Sequence, residues 1–581
     1  MFIERNLDFL KPGGRMAIVL PQGRFNNSSD KNIRDFIAER CRILAVVGLH
    51  GNTFKPHTGT KTSVLFVQKW NDDPKAGALC PRQDDYNIFF ATMRKSGKDN
   101  SGDKIWRKIS SSSSPPDDEL SELMPPSPMQ RVVGVEGDFL QDVHGHLVVD
   151  HDLYNHEGRT EDGIAEAFIE FAKKEKLSFF ESSPSVTPFD AVRYRRLMDG
   201  LEAVELSLSD ALKENASFRV DSDFFKKQYL HEYHQIKKFK NVILGDIAFI
   251  TDGQHGYHEV DETSNISHIT AKNTKNWFTD KIGADGLAQW VDDKNKRSSL
   301  KENDVLLANR GTVGCCSLVK SDILPANIDQ DIARIALSHN SPILAEYLLT
   351  YLNSKIGYDW VIRNSSGMVQ QGLPLNKVSI IPVPVFNKEF QINIKKLIDL
   401  SWETRQSAKE IYQQAEDLLL SELGLKDWQP TEETVAVKTF AESFLSSDRL
   451  DAEYYQPKQQ KVMAIMRQSG LCIGDVVSLA KRKFQPEKQG TFNYIEIGNL
   501  SREGFANSEV VAMEEAPSRA QWFVKTNDVI TSTVRPIRRL SALIESEQNN
   551  YICSSGFAVL KPTKIEPEVL LVYLRSPIVC G

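Results

Sequence analysis

Cysteine is scarce and poorly spaced for chemistry. The seven cysteines stand at 41, 80, 315, 316, 472, 553 and 580, and none forms a C-x-x-C pair. This excludes the common zinc-binding spacings and gives no framework of disulfides. A reducing compartment, the cytoplasm, is the expected location. Long apolar runs are missing as well: no stretch of about 18 apolar residues occurs, so no membrane-crossing helix is predicted. The opening MFIERNLDFLKPGG has early acidic residues and lacks the apolar core of a secretory signal. An excess of positive charge is also missing, since 71 Lys and Arg against 78 Asp and Glu leave a formal net charge of −7. That total does not exclude nucleic acid, because phosphates are met by a local basic surface. Local clusters exist at Lys237, Lys238 and Lys240; Lys294, Lys296 and Arg297; Lys481, Arg482 and Lys483; and Arg535, Arg538 and Arg539. Each has an equal claim to be solvated surface.

What is present predicts several units. At roughly one domain per 100–200 residues, a chain of 581 residues holds three to five. Residues 2–10 read as a helix that stops at Pro12-Gly13-Gly14. Arg15–Leu20 is a short apolar run bounded by glycine and proline, as in a buried strand. Ser29-Asp30 is placed to cap a helix through about Arg40, with Ile33, Phe36 and Ile37 on one face. Ile43–Leu49 and Ser63–Gln68 are two more strands, separated by the loop HGNTFKPHTGTKT. This order is that of the back half of a doubly wound α/β domain, with the front half missing. Residues 71–160 are weakly patterned, and Ser110–Ser114 with Pro115-Pro116 reads as a mobile low-complexity loop. Ile164, Phe168 and Phe171 mark an amphipathic helix ending near Leu177.

Two heptad stripes lie further along the chain. Leu197, Leu201, Val204, Leu208 and Ala211 step by 4, 3, 4 and 3, which predicts a helix over Tyr194–Glu214. Ile394, Leu397, Ser401, Thr404, Ala408, Ile411, Ala415 and Leu418 continue the same spacing over seven steps. Its polar middle predicts a stripe that packs on another helix, and the 190–214 helix is the expected partner.

The chain also repeats itself. Arg219-Val-Asp-Ser-Asp-Phe-Phe225 matches Arg449-Leu-Asp-Ala-Glu-Tyr-Tyr455 at an offset of 230. Leu244–Ile247 matches Ile473–Val476 at 229, Glu302–Leu306 matches Thr526–Ile530 at 224, and Glu346–Ser354 matches Glu568–Ser576 at 222. Order is kept while the offset drifts, as in a duplicated domain with altered loops. Between the landmarks the two copies differ almost completely, the pattern of a common frame carrying different binding loops. The last offset sets Gly581 opposite Asp359, so the second copy is expected to stop before the helix that closes the first.

These segments carry two resemblances. FIERNLDFLKPGGRMAIVLPQGRFNN and TGTKTSVLFVQKW, within residues 1–70, resemble the C-terminal half of the adenine-N6 DNA methyltransferase domain of restriction-modification enzymes. KSGKDNSGD (95–103) and GHLVVDHDLY (145–154) resemble the segment directly C-terminal to that domain in those enzymes. Residues 219–581, above all NDVLLANRGTVG (303–314) and GLPLNKVSIIPVPV (372–385), resemble the specificity subunit of type I systems. The fold implied is an α/β and α+β multidomain chain: a partial doubly wound methyltransferase sheet, then two target-recognition domains with long spacer helices. The implied divisions are 1–70 methyltransferase, 71–189 connecting region, 190–240 helical spacer, 241–386 first target-recognition domain, 387–425 spacer helix, and 446–581 second target-recognition domain, truncated. The implied function is sequence-specific binding of double-stranded DNA, with methyltransferase and nuclease subunits as further partners.

The departures from that family bear on catalysis. No glycine-rich turn for S-adenosylmethionine follows a strand, and no Asn/Asp-Pro-Pro-aromatic motif occurs. Ser-Pro-Pro-Asp at 114–117 and Met-Pro-Pro-Ser at 124–127 have no aromatic after the prolines. Gly13-Gly14 precedes a strand, so it is a turn and not a cofactor loop. S-adenosylmethionine is therefore expected only for a completed enzyme and not for this chain alone. The alternative is an active adenine methyltransferase or restriction enzyme completed by a missing N-terminal part or a partner chain. Phe25 is a candidate wall for a flipped base, against the weightier reading of a core phenylalanine. His144, His146, His151 and His156 lie near Asp150 and Asp152, but HGHLVVDHD alternates like a strand and no metal site is expected. Base-reading candidates are side chains that present paired hydrogen bonds: Lys272, Asn273, Asn309, Arg310, Arg363 with Asn364, Gln370 and Gln371 in the first copy, and Arg535, Arg538 and Arg539 in the second. Phosphate contacts compete for every one of them.

Overall fold

The computed structural model describes residues 2–73, 75, 80–109, 139–142, 144–156, 158–160, 163–177, 187–213, 215–256, 259–367, 372–426, 435–449, 451–485, 490–501, 504–513 and 516–580. The low-complexity stretch at 110–117, both Pro-Pro pairs, Gln370 and Gln371 lie outside them. The fold is mixed α/β with several sheets, and it divides into two compact units, residues 1–399 and 400–581. Among the described residues no helix is long and apolar enough to cross a membrane.

The first sheet grows from the apolar runs. The helix Phe2–Phe9 ends in a turn where Gly13 has φ of 71°. A Cβ on Gly14 would sit 2.8 Å from the Lys11 carbonyl oxygen, so that position has no room for a side chain. The strands β1 (Arg15–Pro21), β2 (Cys41–Gly48), β3 (Thr62–Lys69), β4 (Asn87–Thr92) and β5 (Ala203–Ser207) lie in the order β1-β3-β2-β4-β5. β3 is antiparallel to both β1 and β2, which therefore run parallel to each other; β4 is parallel to β2, and β5 antiparallel to β4. All eight residues of β2 are buried, as suits a central strand covered on both faces. One face packs Phe25, Ile37, Leu65, Phe90 and Phe225; the other packs Phe89, Ile164, Phe171 and Leu197. The amphipathic helix predicted from Ile164 is present as Ile164–Lys174.

The helix predicted over Tyr194–Glu214 is overturned. A helix over Ala191–Gly200, capped by Asp190, gives way to β5, and Ser207 caps a short helix, Leu208–Leu212. Gly200 weakens the helix where it ends, and the open edge of β4 offers a full ladder to residues 203–207. The supposed stripe is split: Leu197 and Leu201 enter one core, whereas Val204, Leu208 and Ala211 belong to the other. The sheet thus extends far past residue 70. The second stripe lies on one helix of 35 residues, Lys388–Glu422. Near its start Gln391 and Ile398 are buried, and Lys395 pairs with Glu346. The stripe itself is not packed: Leu397, Ile411 and Leu418 are 67%, 64% and 64% exposed. Its expected partner, the helix over 190–214, does not form; residues 190–213 are built into the first sheet and its helices instead.

The repeat is legible in three dimensions. In the first copy four antiparallel strands lie in the order Cys316–Leu318, Val305–Ala308, Ile332–Leu337, Ala248–Asp252. In the second copy the order is Ser541–Leu543, Val529–Ser532, Phe557–Pro562, Val477–Leu479, again all antiparallel. Each copy adds a second sheet with a parallel pair, Ser267–Ile269 with Ala326–Ile328 and Thr491–Ile495 with Ile552–Ser554. Both copies enter the second strand of the first-named sheet through an asparagine at φ of 67°, Asn303 or Asn527. The next residue, Asp304 or Asp528, is buried and accepts a 2.7 Å hydrogen bond from the backbone N–H three residues earlier.

Candidate nucleic-acid interface

The paired strands bring the scattered arginine candidates into register. Strands Val305–Ala308 and Cys316–Leu318 are joined by the hairpin loop 309–315; the matching strands of the second copy are joined by 533–540. Arg310 stands in the first loop, and Arg535, Arg538 and Arg539 in the second. The second loop is one residue longer.

The two loops are held differently. In the first, Thr312 Oγ1 donates to the Ala271 carbonyl at 2.8 Å, and the Leu373 N–H donates to the Asn309 carbonyl at 2.8 Å. Gly314, at φ of 89°, leaves room for the Tyr358 ring, which a Cβ there would approach to 2.7 Å. The Arg310 guanidinium is half exposed and lies 3.8 Å from Asp331. In the second loop Arg535 and Arg539 take left-handed φ of 53° and 54° around the 3-10 turn Pro536–Arg538. All three arginines are exposed, with Val534 and Ile537 exposed beside them. A planar, five-donor guanidinium on an exposed loop can pair with a guanine edge or bridge phosphates.

Other candidates do different work. Asn273 is buried; its side chain accepts the Thr270 N–H at 3.0 Å and donates to the Ile282 carbonyl at 3.2 Å. Asn499 takes the same capping role on Glu496 in the second copy, so Asn273 belongs to the frame. Asn309 is buried at 6% exposure with its Oδ1 unpartnered. Arg363 is half-buried, donates to the Phe224 carbonyl at 3.0 Å and stacks on the Phe224 ring. Asn364 is buried and bonds the Trp360 carbonyl. Lys272 is exposed beside the first loop's anchor at Ala271.

In the N-terminal segment Phe25 is 2% exposed and packs with Ile37 and Leu65, which leaves no face for stacking on a base. His144 and His146 are exposed, while His151 packs against Tyr154 and His156. Among the described residues no group of three or more His, Cys, Asp or Glu is placed to hold a metal ion.

The junction of this segment with the first copy was not legible in the sequence. Arg34 is buried and donates to four carbonyls, those of Arg24, Asn27, Ser217 and Phe218. Arg219 forks onto Asp221 and donates to the Arg363 and Ser365 carbonyls. Phe225 meets Phe90 of β4 at 4.4 Å between ring centres. Beside these contacts lies a polar cavity of about 190 Å³, lined by Gln22, Asn26, Lys61, Asp223, Lys226 and Arg363 among others. Burial works against the Asp223 carboxylate, but Lys61 and Lys226 outweigh it and hold its pKa below the ordinary range. These side chains come from segments far apart in the chain, so no local motif announces them.

Comparison with known proteins finds relatives of two kinds. The family N-6 DNA Methylase matches residues 1–108. The methylase subunit of the type I restriction enzyme EcoEI from Escherichia coli is 34% identical over 70 residues, 12% of this chain and 14% of that protein. The specificity subunit of the type I restriction enzyme HindI from Haemophilus influenzae is 24% identical over 106 residues, 18% of this chain and 23% of that protein. The chain thus spans less than a quarter of either relative. The crystal structure of the S subunit of a type I restriction-modification system from M. genitalium aligns over 58% of this chain and 77% of that one, at 14% identity and a TM-score of 0.28. This polypeptide joins a segment related to N-6 DNA methylases to a region related to type I specificity subunits.

Proposed function

We propose that the chain reads a two-part site on double-stranded DNA for a restriction-modification system. Residues 241–386 form one target-recognition domain and 446–581 the other. The carrying observation is the contrast within the repeat: one frame, shared to the level of the Asn-Asp turn, bears two unlike hairpin loops with exposed arginines. Arg310 serves the first half-site; Arg535, Arg538 and Arg539 serve the second. Some of these side chains grip phosphate and fix the register, and a bidentate pair to a base edge supplies the sequence information. Selection from a random duplex library, with the full chain and with residues 446–581 removed, tests this. The shortened chain should retain one half of the selected motif. An unchanged motif would contradict the two-part reading.

Methyl transfer is not assigned to this chain alone. Gly13 and Gly14 lie at the amino end of β1 and serve the turn after the first helix. Ligands of open α/β sheets gather at the carboxyl ends of strands, so these glycines do not fit an S-adenosylmethionine loop. A second reading, catalysis after completion by another chain, is favoured by the match to the methylase family over residues 1–108. Calorimetry with S-adenosylmethionine separates the two: tight binding by this chain alone contradicts the first.

The repeat also supports a methylase subunit as partner. In the first copy Phe224 and Phe225 dock against the sheet of the N-terminal segment and are 6% and 2% exposed. Their counterparts Tyr454 and Tyr455 are only half-buried, beside an exposed Arg449. This second docking element suits a second methylase-like sheet brought by a separate subunit, and a nuclease subunit is the further partner expected of such a system.

A further inference from the structure

The cavity beside Lys61 and Lys226 has more positive charge than its structural role uses. Gln22 and Asn26 come after the carboxyl end of β1, and Lys61 precedes the antiparallel β3, with the Gln22 N–H bonded to the Lys61 carbonyl at 3.0 Å. The first copy supplies the other wall through Arg219, Asp221, Asp223, Lys226 and Arg363. Four cations face two carboxylates. Arg219 is spent on Asp221, with both side chains nearly sealed from water. Asp223 is shared by Lys61 and Lys226, the latter at 2.9 Å, so one carboxylate serves two ammonium groups. Both lysines remain about one-third exposed.

Asn26 completes the polar wall and is 7% exposed. Two ammonium groups that share one carboxylate, with the Arg363 guanidinium beside them, make a receptor for an anion with several acceptor oxygens.

We infer that this cavity binds a phosphate group, and that its source is the DNA backbone where the duplex passes from the first recognition domain to the methylase-like segment. The source rests on the DNA-binding reading above; the phosphate chemistry does not. The phosphate oxygens sit between Lys61 and Lys226 and loosen their hold on Asp223.

The test compares the full chain with Lys226→Ala, Lys226→Arg and Lys61→Gln. Circular dichroism and thermal melting establish that each variant is folded. Fluorescence anisotropy with a duplex across a salt series then gives the slope of log affinity against log salt. Losing one phosphate contact should flatten that slope by about one, and Lys226→Arg should restore it. In a second arm inorganic phosphate is titrated and followed by ³¹P line broadening. Flattening with Lys226→Ala and Lys61→Gln supports the site and the backbone source. Saturable phosphate broadening lost in Lys226→Ala, without a change in DNA slope, keeps the site and overturns the backbone source. No change in either arm overturns the inference. A wild-type chain that binds no duplex contradicts the DNA-binding reading, and the phosphate arm alone then decides the site.

Discussion

In the first repeat the Arg219–Asp221 pair is all but sealed from water, with 6% and 0% of the side chains exposed; in the second the matching Arg449–Asp451 pair keeps 53% and 38%. The fork itself is the same, Nε and Nη2 onto the two carboxylate oxygens of the residue two positions on. The next aromatic along the chain stacks on the guanidinium in both, 4.7 Å from Phe224 and 4.5 Å from Tyr454. What differs is the surroundings. In the first copy a sheet and two backbone carbonyls close over the fork, whereas the second fork lies open. Local sequence therefore sets the geometry, and the neighbours set the energy.

A second contrast runs the other way. Asp304 and Asp528 hold the same place in the frame, but their guanidinium partners arrive from different directions. Arg334 reaches Asp304 from the neighbouring strand Ile332–Leu337. Arg482 reaches Asp528 from beyond the end of the strand Val477–Leu479. The buried carboxylate demands a cation, and the two copies meet that demand from different positions. A residue-by-residue match would overlook this equivalence.

The largest predicted difference concerns the forks. Arg219→Ala leaves Asp221 buried and unpaired and strips the Arg363 and Ser365 carbonyls of donors. A loss of about 5 kcal/mol is expected there, against little or none for the exposed Arg449→Ala. Denaturant melts with hydrogen exchange of the two segments compare them; equal losses would break the contrast. The next effect is at the frame carboxylates. Asp304→Ala strands Arg334, which is 7% exposed, and should cost about 3 kcal/mol. Asp528→Ala should cost less, because Arg482 is 27% exposed and can turn to water. The same melts rank the two.

A smaller effect depends on pH. Burial raises the Asp329 carboxyl to about 6. Its folded pKa lies above the unfolded one, so its contribution is complete below the unfolded pKa near 4 and is lost as pH rises through about 6. The first copy should gain stability as pH falls from 7 toward 5, by at most about 1.4 kcal/mol per pH unit. The second copy has Ser554-Ser555-Gly556 where the first has Asp329-Gln330-Asp331, so no such gain arises there. Asp304 and Asp528, both raised first by burial, are common to the two copies and do not create a difference. Asp329→Asn should make the two pH profiles parallel.

Much of this was legible in the sequence. Short apolar runs bounded by glycine and proline became β1, β2 and β3, and the spaced landmarks became one frame built twice. The run NIFFAT forms β4, six residues of strand that the weak pattern around it conceals. Residues 203–207 mimic a helix because heptad spacing can be met by chance where a strand finds an open edge. The site was legible in residue type more than in role. Asparagine caps a turn with the groups it would use on adenine, and only packing distinguishes Asn273 from a reader. Arg310 and the Arg535 loop became equivalents once the strands aligned them across a one-residue insertion. The cavity at Lys61 and Lys226 draws on segments that meet only in the folded chain.

The most direct measurement is the DNA sequence selected from a random duplex library by the intact chain, by Arg310→Ala, and by the triple variant Arg535→Ala, Arg538→Ala, Arg539→Ala. The account predicts a bipartite motif in which the first variant relaxes one half and the triple variant relaxes only the other. A motif that both variants change at the same positions, or that neither changes, would contradict it.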